Sequence, residues 1–263
     1  VLLVVGSPLV AQSVTATTNL QSRIIETFDD PDESPWAFVG SRFLTESLQD
    51  QSNLQFIANA FPAALHRNPP NPDELLVLGH RFAFDRRGYN FIEYYPAQSD
   101  GNGGVELDDN GVPVPRAIPI PGQVRNLDMW VWGSNHDYYL EVHLRDFRGI
   151  VHVLRLGDVS FSGWQNLRVN IPTSIPQTVQ YLPQRKGLEL VKIVLWTRPE
   201  ERVAGFPDAA ATADPETGIV PLFIYFDEIK VFSDVFEQPF DGDALTDPNR
   251  INEIWNAPQG GGQ

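Results

Sequence analysis

The sequence predicts an all-β chain, a single jelly-roll-like antiparallel β-sandwich with long inserted loops and little helix. Short segments with alternating apolar and polar residues recur along its 263 residues, and 22 prolines and 20 glycines separate them. Such alternation indicates strands with one buried face, and many short strands between turn residues are typical of a sandwich or a jelly roll. Helical periodicity is weak and is found only around residues 47–59 and 248–255. Neither an internal repeat nor a domain-sized linker interrupts the pattern, which indicates one domain.

Six segments give the clearest strand predictions, and three others have the composition of inserted loops. The predicted strands are residues 23–29, 80–87, 89–96, 165–172, 188–197 and 222–232. The predicted loops are residues 68–74, 97–115 and 199–218. Loops of this length in a compact domain are usually functional or disordered, so we expect them to be available for contacts.

Residues 139–157 contain a hairpin whose register follows from its turn. Asp146 and Gly149 are the first and fourth residues of DFRG, the pattern of a type I turn with glycine in the left-handed region, which pairs Asp146 with Ile150. The pairs that follow are Leu144 with His152, Val142 with Leu154 and Leu140 with Leu156 on a largely apolar face, and Glu141 with Arg155 and His143 with Val153 on the other. A slip by one residue would mix the two faces, so the in-register hairpin is favoured.

The same register argues against a metal site in the hairpin. His143 and His152 fall on its opposite faces, and the other histidines lie in separate segments. The loop sequences DGNGG at residues 100–104 and DDNG at 108–111 lack the alternating carboxylates and the final glutamate of an EF-hand. We interpret both as turn-rich loop tips, with calcium as a minor alternative. We expect no metal and no other cofactor.

The chain carries no recognisable catalytic pattern. The patterns G-x-S-x-G, GxxxxGK[ST] and GxGxxG are absent, and the lack of cysteine excludes disulfides, thiol catalysis and cysteine-ligated metals. Glu93, Glu141 and Asp227 lie on predicted strands, and two such acids could meet across a sandwich to hydrolyse a glycosidic bond. Solvated strand faces explain these acids more simply. We therefore predict that the protein is not an enzyme and has no catalytic residue.

The charge balance disfavours nucleic acid and anionic lipid as partners. The chain has 34 Asp and Glu against 19 Lys and Arg, a formal net charge of −15. Binding to a phosphate backbone or to an anionic membrane depends on clustered cations, which this composition does not favour. After the first residues, no apolar stretch approaches the length of a membrane span.

The first residues, VLLVVGSPLVAQS, match the end of a secretory signal peptide. The apolar run stops at Ala11 and a polar segment follows, so we expect residues 1–11 to be a signal remnant cleaved near Ala11 and Gln12. A buried first strand is the alternative. For the remainder we predict a single β-sandwich domain over residues 12–256 and a flexible tail over 257–263.

The tryptophans raise the question of an aromatic binding face. In the segment LDMWVW, Met129 and Val131 point to one side of a strand, and Trp130 and Trp132 point to the other. Both faces are therefore apolar. Either this strand is covered on both sides, or one tryptophan faces a partner.

A long block of the chain resembles a known family. Residues 119–183, PIPGQVRNLDMWVWGSNHDYYLEVHLRDFRGIVHVLRLGDVSFSGWQNLRVNIPTSIPQTVQYLP, are similar to the spirochaete flagellar filament outer layer proteins, also called flagellar sheath proteins. The flanking segments ETFDDPDESPW, FDRRGYNFIEYYP and IYFDEIKVFSDVFEQPFDGDAL agree with this resemblance. It covers nearly the whole chain after residue 11, and its central block is far more specific than any short motif.

The resemblance implies a structural protein. Members of this family are exported by the general secretory route and coat the flagellin core of periplasmic flagella. The implied partners are therefore the flagellin core filament and other sheath subunits, assembled as a polymeric coat in the periplasm. Such a coat shapes filament curvature and stiffness for motility, and the family implies no catalytic residue.

A coat subunit needs contact patches on at least two sides, because coating a filament uses heterologous contacts. Subunits with a net charge of −15 repel each other, so assembly needs local complementarity, for which the arginines near residue 86 and the acids of residues 237–247 are candidates. The candidate partner contacts are Trp36, Arg81, Arg86, Arg87, Trp130 and Trp132.

A periplasmic carbohydrate-binding β-sandwich module remains the alternative. A glycan site needs coplanar exposed rings beside polar groups in a groove, and Trp36, Trp130 and Trp132 are the rings to examine. Core packing is the expectation for Trp164 and Trp196, which lie in alternating apolar runs.

Overall fold

Alternating side chains build two antiparallel β-sheets. The computed structural model describes residues 20–86, 88–177, 179–180, 185–199 and 221–234, together with residues 251 and 255. The strands, in chain order, are β1 (Leu20–Glu26), β2 (Trp36–Gly40), β3 (Leu54–Ala58), β4 (Leu76–Phe82), β5 (Phe91–Pro96), β6 (Ile118–Ile120), β7 (Gln123–Ser134), β8 (Tyr139–Arg145), β9 (Val151–Asp158), β10 (Ser162–Asn170), β11 (Val179–Gln180), β12 (Arg185–Lys186), β13 (Leu188–Trp196) and β14 (Leu222–Asp234). Short 3₁₀ helices lie at Glu46–Leu48, Gln51–Asn53 and Pro72–Glu74. None of the helices described here is long and apolar enough to cross a membrane.

The sheets bring together strands that are far apart in the sequence. Sheet A has the order β10–β7–β14–β4–β3, and β1 also pairs with β14. Sheet B has the order β2–β5–β13–β8–β9, and β6 also pairs with β13. Strands β11 and β12 form a separate ribbon. The prediction of an all-β antiparallel sandwich is therefore confirmed.

One apolar core fills the space between the sheets. Met129, Val131 and Phe226 of sheet A and Leu140 and Val142 of sheet B belong to the same buried cluster. Strands such as β7 and β8 contribute alternate residues to it, because successive side chains of a strand point to opposite faces. Burial of apolar surface stabilises the fold by about 25 cal/mol per Å². The remaining side chains of each strand form the outer face of its sheet.

The hairpin of β8 and β9 has the predicted register with one exception. Its turn is closed by the backbone N–H of Asp146, which donates to the carbonyl of Ile150 at 2.9 Å, and Gly149 has φ of 86°. The observed pairs are Leu144 with His152, Val142 with Leu154, His143 with Val153 and Glu141 with Arg155. The exception is Leu140, which lies opposite Gly157 because the register shifts after Glu141. A β-bulge of this kind leaves one extra residue unpaired and cannot be read from alternation alone.

The segment with helical periodicity at residues 47–59 is not an α-helix. It contains two 3₁₀ turns and then β3, which pairs with β4. The extended backbone of Asp50 separates the two turns, and its side chain accepts the N–H of Ser52 and caps the second turn. Of the second helical segment, residues 251 and 255 are helical, and the other residues lie outside the described part of the chain.

The strand predicted at residues 80–87 is displaced toward the N-terminus. Strand β4 runs from Leu76 to Phe82, and Ala83 already accepts a hydrogen bond from Thr45 outside the sheet. The first three residues of β4 are Leu76, Val77 and Leu78, so both faces of the strand begin with apolar side chains. The alternation of apolar and polar residues starts only after them and does not mark the beginning of the strand. The predicted segments 1–11 and 257–263 and nearly all of the loop 199–218 lie outside the described residues.

The loop at residues 97–115 folds into two tight turns. Isolated bridges join Ala97 to Pro115 and Leu107 to Pro113. Oδ1 of Asp100 accepts the N–H groups of residues 102 and 104, and Oδ1 of Asp108 accepts those of residues 110 and 112. These carboxylates close turns, as their sequence pattern predicts. Within the described residues, no group of three or more His, Asp or Glu side chains is placed to hold a metal ion.

Candidate interaction surface

A row of aromatic rings crosses the outer face of sheet A. Trp132 of β7 pairs with Trp164 of β10 on one side and with Tyr225 of β14 on the other, and all three residues are half-buried. The ring centroids of Trp132 and Tyr225 are 5.2 Å apart and their planes meet at 85°, an edge-to-face contact. The indole N–H of Trp164 donates to the carbonyl of Ala60 at 3.1 Å. The segment after β3 therefore reaches this row.

A charged cluster adjoins the aromatic row. Asp128 of β7 lies between Arg168 of β10 and Lys230 of β14. Its carboxylate is 3.4 Å from Lys230 Nζ and 3.6 Å from Arg168 Nη2, and it accepts a hydrogen bond from Asn166 at 2.9 Å. Asp128 is buried, and these three partners offset the cost of removing its charge from water. The cluster also stabilises the register of the three strands.

Asp227 of β14 brings an unusual carboxyl group to the same face. It pairs with Trp130 and is only 3% exposed. Its Oδ1 accepts the backbone N–H of Glu228 at 2.8 Å, whereas its Oδ2 has no hydrogen-bond partner among the described residues. Burial raises the pKa of Asp227 to about 7, although the hydrogen bond from the backbone N–H of Glu228 acts to lower it. The nearby negative charges of Glu228 and Asp29 raise the pKa further. This carboxyl group therefore titrates near neutral pH.

The structure contradicts an exposed ring at Trp36. This residue is 4% exposed and lies in the core. Its indole N–H donates to Oε2 of Glu26 at 3.1 Å, and its ring centroid lies 5.3 Å from that of Phe28. Both the polar atom and the apolar surface of Trp36 are thus used inside the subunit, which removes it from the candidate partner contacts.

Three of the other candidates share the outer face of sheet A. Trp130 and Trp132 are half-buried there, because Met129 and Val131 take the core side of β7 as the alternation predicts. Arg81 of β4 is exposed, and its guanidinium group donates two hydrogen bonds to Oδ1 of Asn53, at 2.9 and 3.2 Å. A role of these residues in partner contacts stays a prediction.

The remaining two candidates lie after β4. Arg86 is exposed, and its guanidinium carbon is 5.2 Å from the ring centroid of Phe43. A cation over an aromatic face is held weakly at an exposed site, so this side chain can move to an acidic partner. Arg87 lies outside the described residues.

Two tryptophans that the sequence assigns to the core lie on outer faces instead. Trp164 belongs to the aromatic row of sheet A. Trp196 is half-buried on the outer face of sheet B, with its ring centroid 5.2 Å from that of Phe91 and its N–H donating to Oε2 of Glu141 at 2.8 Å. Alternation cannot say which set of residues faces inward when both sets contain apolar side chains. The strands that pair with β10 and β13 determine which face points inward, and these partners are distant in the sequence.

The strand carboxylates are not brought together as one group. Glu93 forms an ion pair with Lys192 and Glu141 accepts the Trp196 N–H, both on sheet B, whereas Asp227 lies on sheet A. The prediction of a solvated strand face fits the partly exposed Glu93 and Glu141 and is wrong for the buried Asp227.

The aromatic rings do not form a flat platform. The planes of Trp132 and Tyr225 meet at 85°, and those of Phe91 and Trp196 meet at 54°. A sugar ring stacks on coplanar exposed rings, and Trp36 is buried. These geometries do not favour the carbohydrate-binding alternative.

Comparison with protein families and curated proteins gives two related matches. The family described as flagellar filament outer layer protein FlaA matches residues 17–240. A putative flagellar filament outer layer-like protein of Brachyspira hyodysenteriae is 23% identical over 164 residues, which cover 62% of this chain and 60% of that protein. The chain therefore matches less than two thirds of the length of this relative.

Two solved structures show a distant likeness to this chain. TmCBM61 in complex with β-1,4-galactotriose is 11% identical, with a TM-score of 0.39, over 80% of this chain and 99% of that one. The family 11 carbohydrate-binding module of a Clostridium thermocellum cellulosomal cellulase is 5% identical, with a TM-score of 0.37, over 82% of this chain and 96% of that one. At these values the likenesses carry no argument about ligands.

Proposed function

The chain belongs to the flagellar filament outer layer protein family, and we propose that it is a structural subunit of the outer layer that coats the flagellin core of periplasmic flagella. The observation that carries this proposal is the family match over residues 17–240. In this role the protein is not an enzyme, and it acts by setting the curvature and stiffness of the filament. Its partners are the flagellin core and other sheath subunits in a polymeric coat.

The surface of the sandwich supports a role in contacts. Sheet A presents aromatic rings beside charged side chains on its outer face, and sheet B presents a separate set of ion pairs, such as Lys192 with Glu93 and Arg145 with Glu189. A subunit inside a layer must contact neighbours on more than one side, and the two outer faces differ in chemistry. Such a surface suits heterologous contacts.

The proposed location is the periplasm. We assign export to a cleaved signal peptide that ends near Ala11, and a single sheath domain to residues 12–256. Both assignments rest on the sequence. They place the mature chain between the cell cylinder and the outer membrane, where periplasmic flagella lie.

Deletion of the gene is the direct test of the coat. The flagellin core should still assemble, because an outer layer is added to a lattice that already exists. We expect a thinner filament or one with altered curvature, measured by cryo-electron microscopy of isolated filaments, together with reduced motility. Complementation with the full-length gene should restore the wild-type shape. Unchanged diameter and curvature in the deletion strain would contradict the proposed function.

Charge reversal tests the arginine contacts. Exchange of Arg81 and Arg86 for glutamate should reduce the amount of protein bound to filaments in a co-sedimentation assay, because both side chains are exposed and are proposed to meet acidic partners. Exposed ion pairs are weak and are screened by salt, so the loss should be largest at low ionic strength. The matched control reverses the exposed Arg67 and Arg125. Equal binding by both double variants would show that only net charge matters.

A further inference from the structure

The sheet edges of this protein are not all alike. A sheet edge carries unpaired backbone groups that can pair with another chain, and proteins usually block them. On β2, the side-chain oxygen of Gln51 accepts the N–H of Phe38 at 3.0 Å, and its amide donates to the carbonyl of Phe38 at 2.8 Å. Gln177 makes the same pair of bonds to Val124 of β7, at 2.6 and 2.8 Å. Glutamine side chains that imitate a strand thus close the edge of β2 and the part of β7 that extends beyond the end of β10.

Within the described residues, no side chain closes the outer edge of strand β9 in this way. Among the described strands it pairs with β8 alone, and it forms one end of sheet B. Asp146 and Ile150 form a hydrogen-bonded pair at the turn, so the alternation of an antiparallel ladder directs the N–H and C=O groups of Val151, Val153 and Arg155 away from β8. The strand contains neither proline nor lysine. In the described part of the chain, nothing pairs with these outward backbone groups, so strand addition can use them.

The open edge is apolar and its turn is basic. Ile150, Val151 and Val153 are each about half exposed. Of the three arginines in residues 145–155, Arg145 pairs with Glu189 and Arg155 with Asp158, whereas Arg148 is exposed in the turn. The one carboxylate of this segment, that of Asp146, has a fully buried side chain. On a chain with a net charge of −15, this end of the hairpin favours an acidic partner.

A complementary edge lies on the other side of the sandwich. Strand β1 pairs with the edge of β14 that faces away from β7. Strand β9 lies on the other side of the sandwich, next to β10, which is the partner of β7 at that end of sheet A. Ile24 of β1 is 47% exposed and borders a cleft of about 860 Å³. Asp30, Asp32 and Glu33 also line this cleft. The basic side chain that borders it, Arg116, contacts the carbonyl of Glu33.

We propose that β9 of one subunit adds to β1 of a second copy in antiparallel orientation, an inference that rests on the proposed function as a coat. The antiparallel direction brings the beginning of β9 to the end of β1. Arg148 of the β9 turn then enters the acidic cleft, while Val151 and Val153 cover Ile24. A parallel arrangement would carry Arg148 away from the cleft, toward Leu20.

The proposed contact is heterologous, because it joins two different surfaces. Each subunit has one β9 edge and one β1 edge, so it can contact two different neighbours in this way. Contacts of this kind form rings when the rotation closes and open filaments when it does not. Edge-to-edge addition would therefore extend a row of subunits in the outer layer without any use of the outer faces of the sheets, which stay available for the flagellin core.

The test uses the full chain in solution and one blocking variant for each edge. Val153→Pro removes an outward N–H of β9 and leaves the hydrogen bonds to β8 in place, and Ile24→Lys puts a positive charge where the arginine-bearing turn would dock. Each variant alone should be monomeric in sedimentation velocity at concentrations where the wild-type chain forms larger species. An equimolar mixture should form dimers and nothing larger, since one partner keeps an intact β9 and the other an intact β1.

Two lysine variants serve as controls for charge and folding. Val39 and Val151 are both 45% exposed on edge strands, but Val39 lies on β2, whose backbone is closed by Gln51. Val39→Lys should assemble as the wild type does, whereas Val151→Lys should be monomeric. Val151→Lys also replaces Val153→Pro if proline disturbs the fold, which circular dichroism would reveal.

Three results would overturn the inference. The first is a wild-type chain that stays monomeric at every concentration. The second is assembly of Val151→Lys and Ile24→Lys to the same extent as the wild type. The third is a stable dimer of Ile24→Lys alone, which would indicate pairing of β9 with β9. Co-sedimentation with flagellin filaments separates this inference from the proposed function. A wild-type chain that fails to coat filaments contradicts the function, whereas edge variants that coat as well as the wild type contradict the inference.

Discussion

Replacement of Val142 by aspartate is expected to lower the free energy of unfolding by about 4 kcal/mol or more, because a charge would enter the core without a partner. Val142 is 1% exposed and lies between Leu154 of β9 and Ile193 of β13. The aspartate would therefore be enclosed on both sides by apolar side chains. Urea denaturation followed by circular dichroism would measure the loss. A variant that does not fold at all would agree with this expectation.

The matched control is the same substitution at Val153, one residue from the pairing partner of Val142. Val153 is 51% exposed on the outer face of β9, so Val153→Asp should cost about 1 kcal/mol or less. Glu141→Ala should also cost about 1 kcal/mol or less, because the residue is partly exposed and loses one hydrogen bond, that from Trp196. Equal loss of stability in Val142→Asp and Val153→Asp would mean that the assignment of the two hairpin faces is wrong.

Asp227→Asn is expected to raise the stability of the protein at pH 8. The pKa of Asp227 is raised from 3.8 to about 7 by burial, so the folded state binds a proton that the unfolded state releases between these two values. The free energy of unfolding therefore falls as the pH rises through this window and levels off above pH 7. The full effect corresponds to about 4 kcal/mol. Asparagine keeps an acceptor for the N–H of Glu228 and carries no charge.

Thermal unfolding between pH 4 and 8 would measure this effect. The wild type should lose stability toward pH 8, and Asp227→Asn should lose much less, so the two curves should converge at pH 4. Asp109→Asn serves as the control, because it removes one carboxylate from an exposed loop and should leave the pH dependence unchanged. Lower stability of Asp227→Asn at pH 8 would show that the carboxylate has a partner outside the described residues.

The β8–β9 hairpin shows how far local information extends. Its turn residues, its cross-strand pairs and its two faces follow from a few neighbouring residues, and the structure confirms them apart from the bulge near Leu140. The opposite faces of Met129 and Trp130 follow from the same rule of alternation. Each of these features depends on residues that are close in the chain. The spacing of those residues in the sequence is therefore sufficient to predict them.

The tryptophans show where local information ends. Trp164 and Trp36 both lie near apolar residues in the sequence, yet Trp36 is buried and Trp164 lies half-buried on an outer face. The difference comes from pairing: β10 joins β7 at an outer end of sheet A, whereas Trp36 meets Phe28 and Glu26 in the core. No spacing within either segment carries this information.

The all-β class, the hairpin register and the resemblance to the outer layer family follow from the sequence alone, because alternation, turn chemistry and a long specific block are local properties. The burial of Asp227, the closure of the β2 edge by Gln51 and the position of β9 at one end of sheet B depend on tertiary contacts. Each of these depends on strands that are distant in the chain. Long-range pairing is selected by the fit of the whole core, so the side chains that end up at an edge or under a neighbouring strand are set by the fold and not by their own segment.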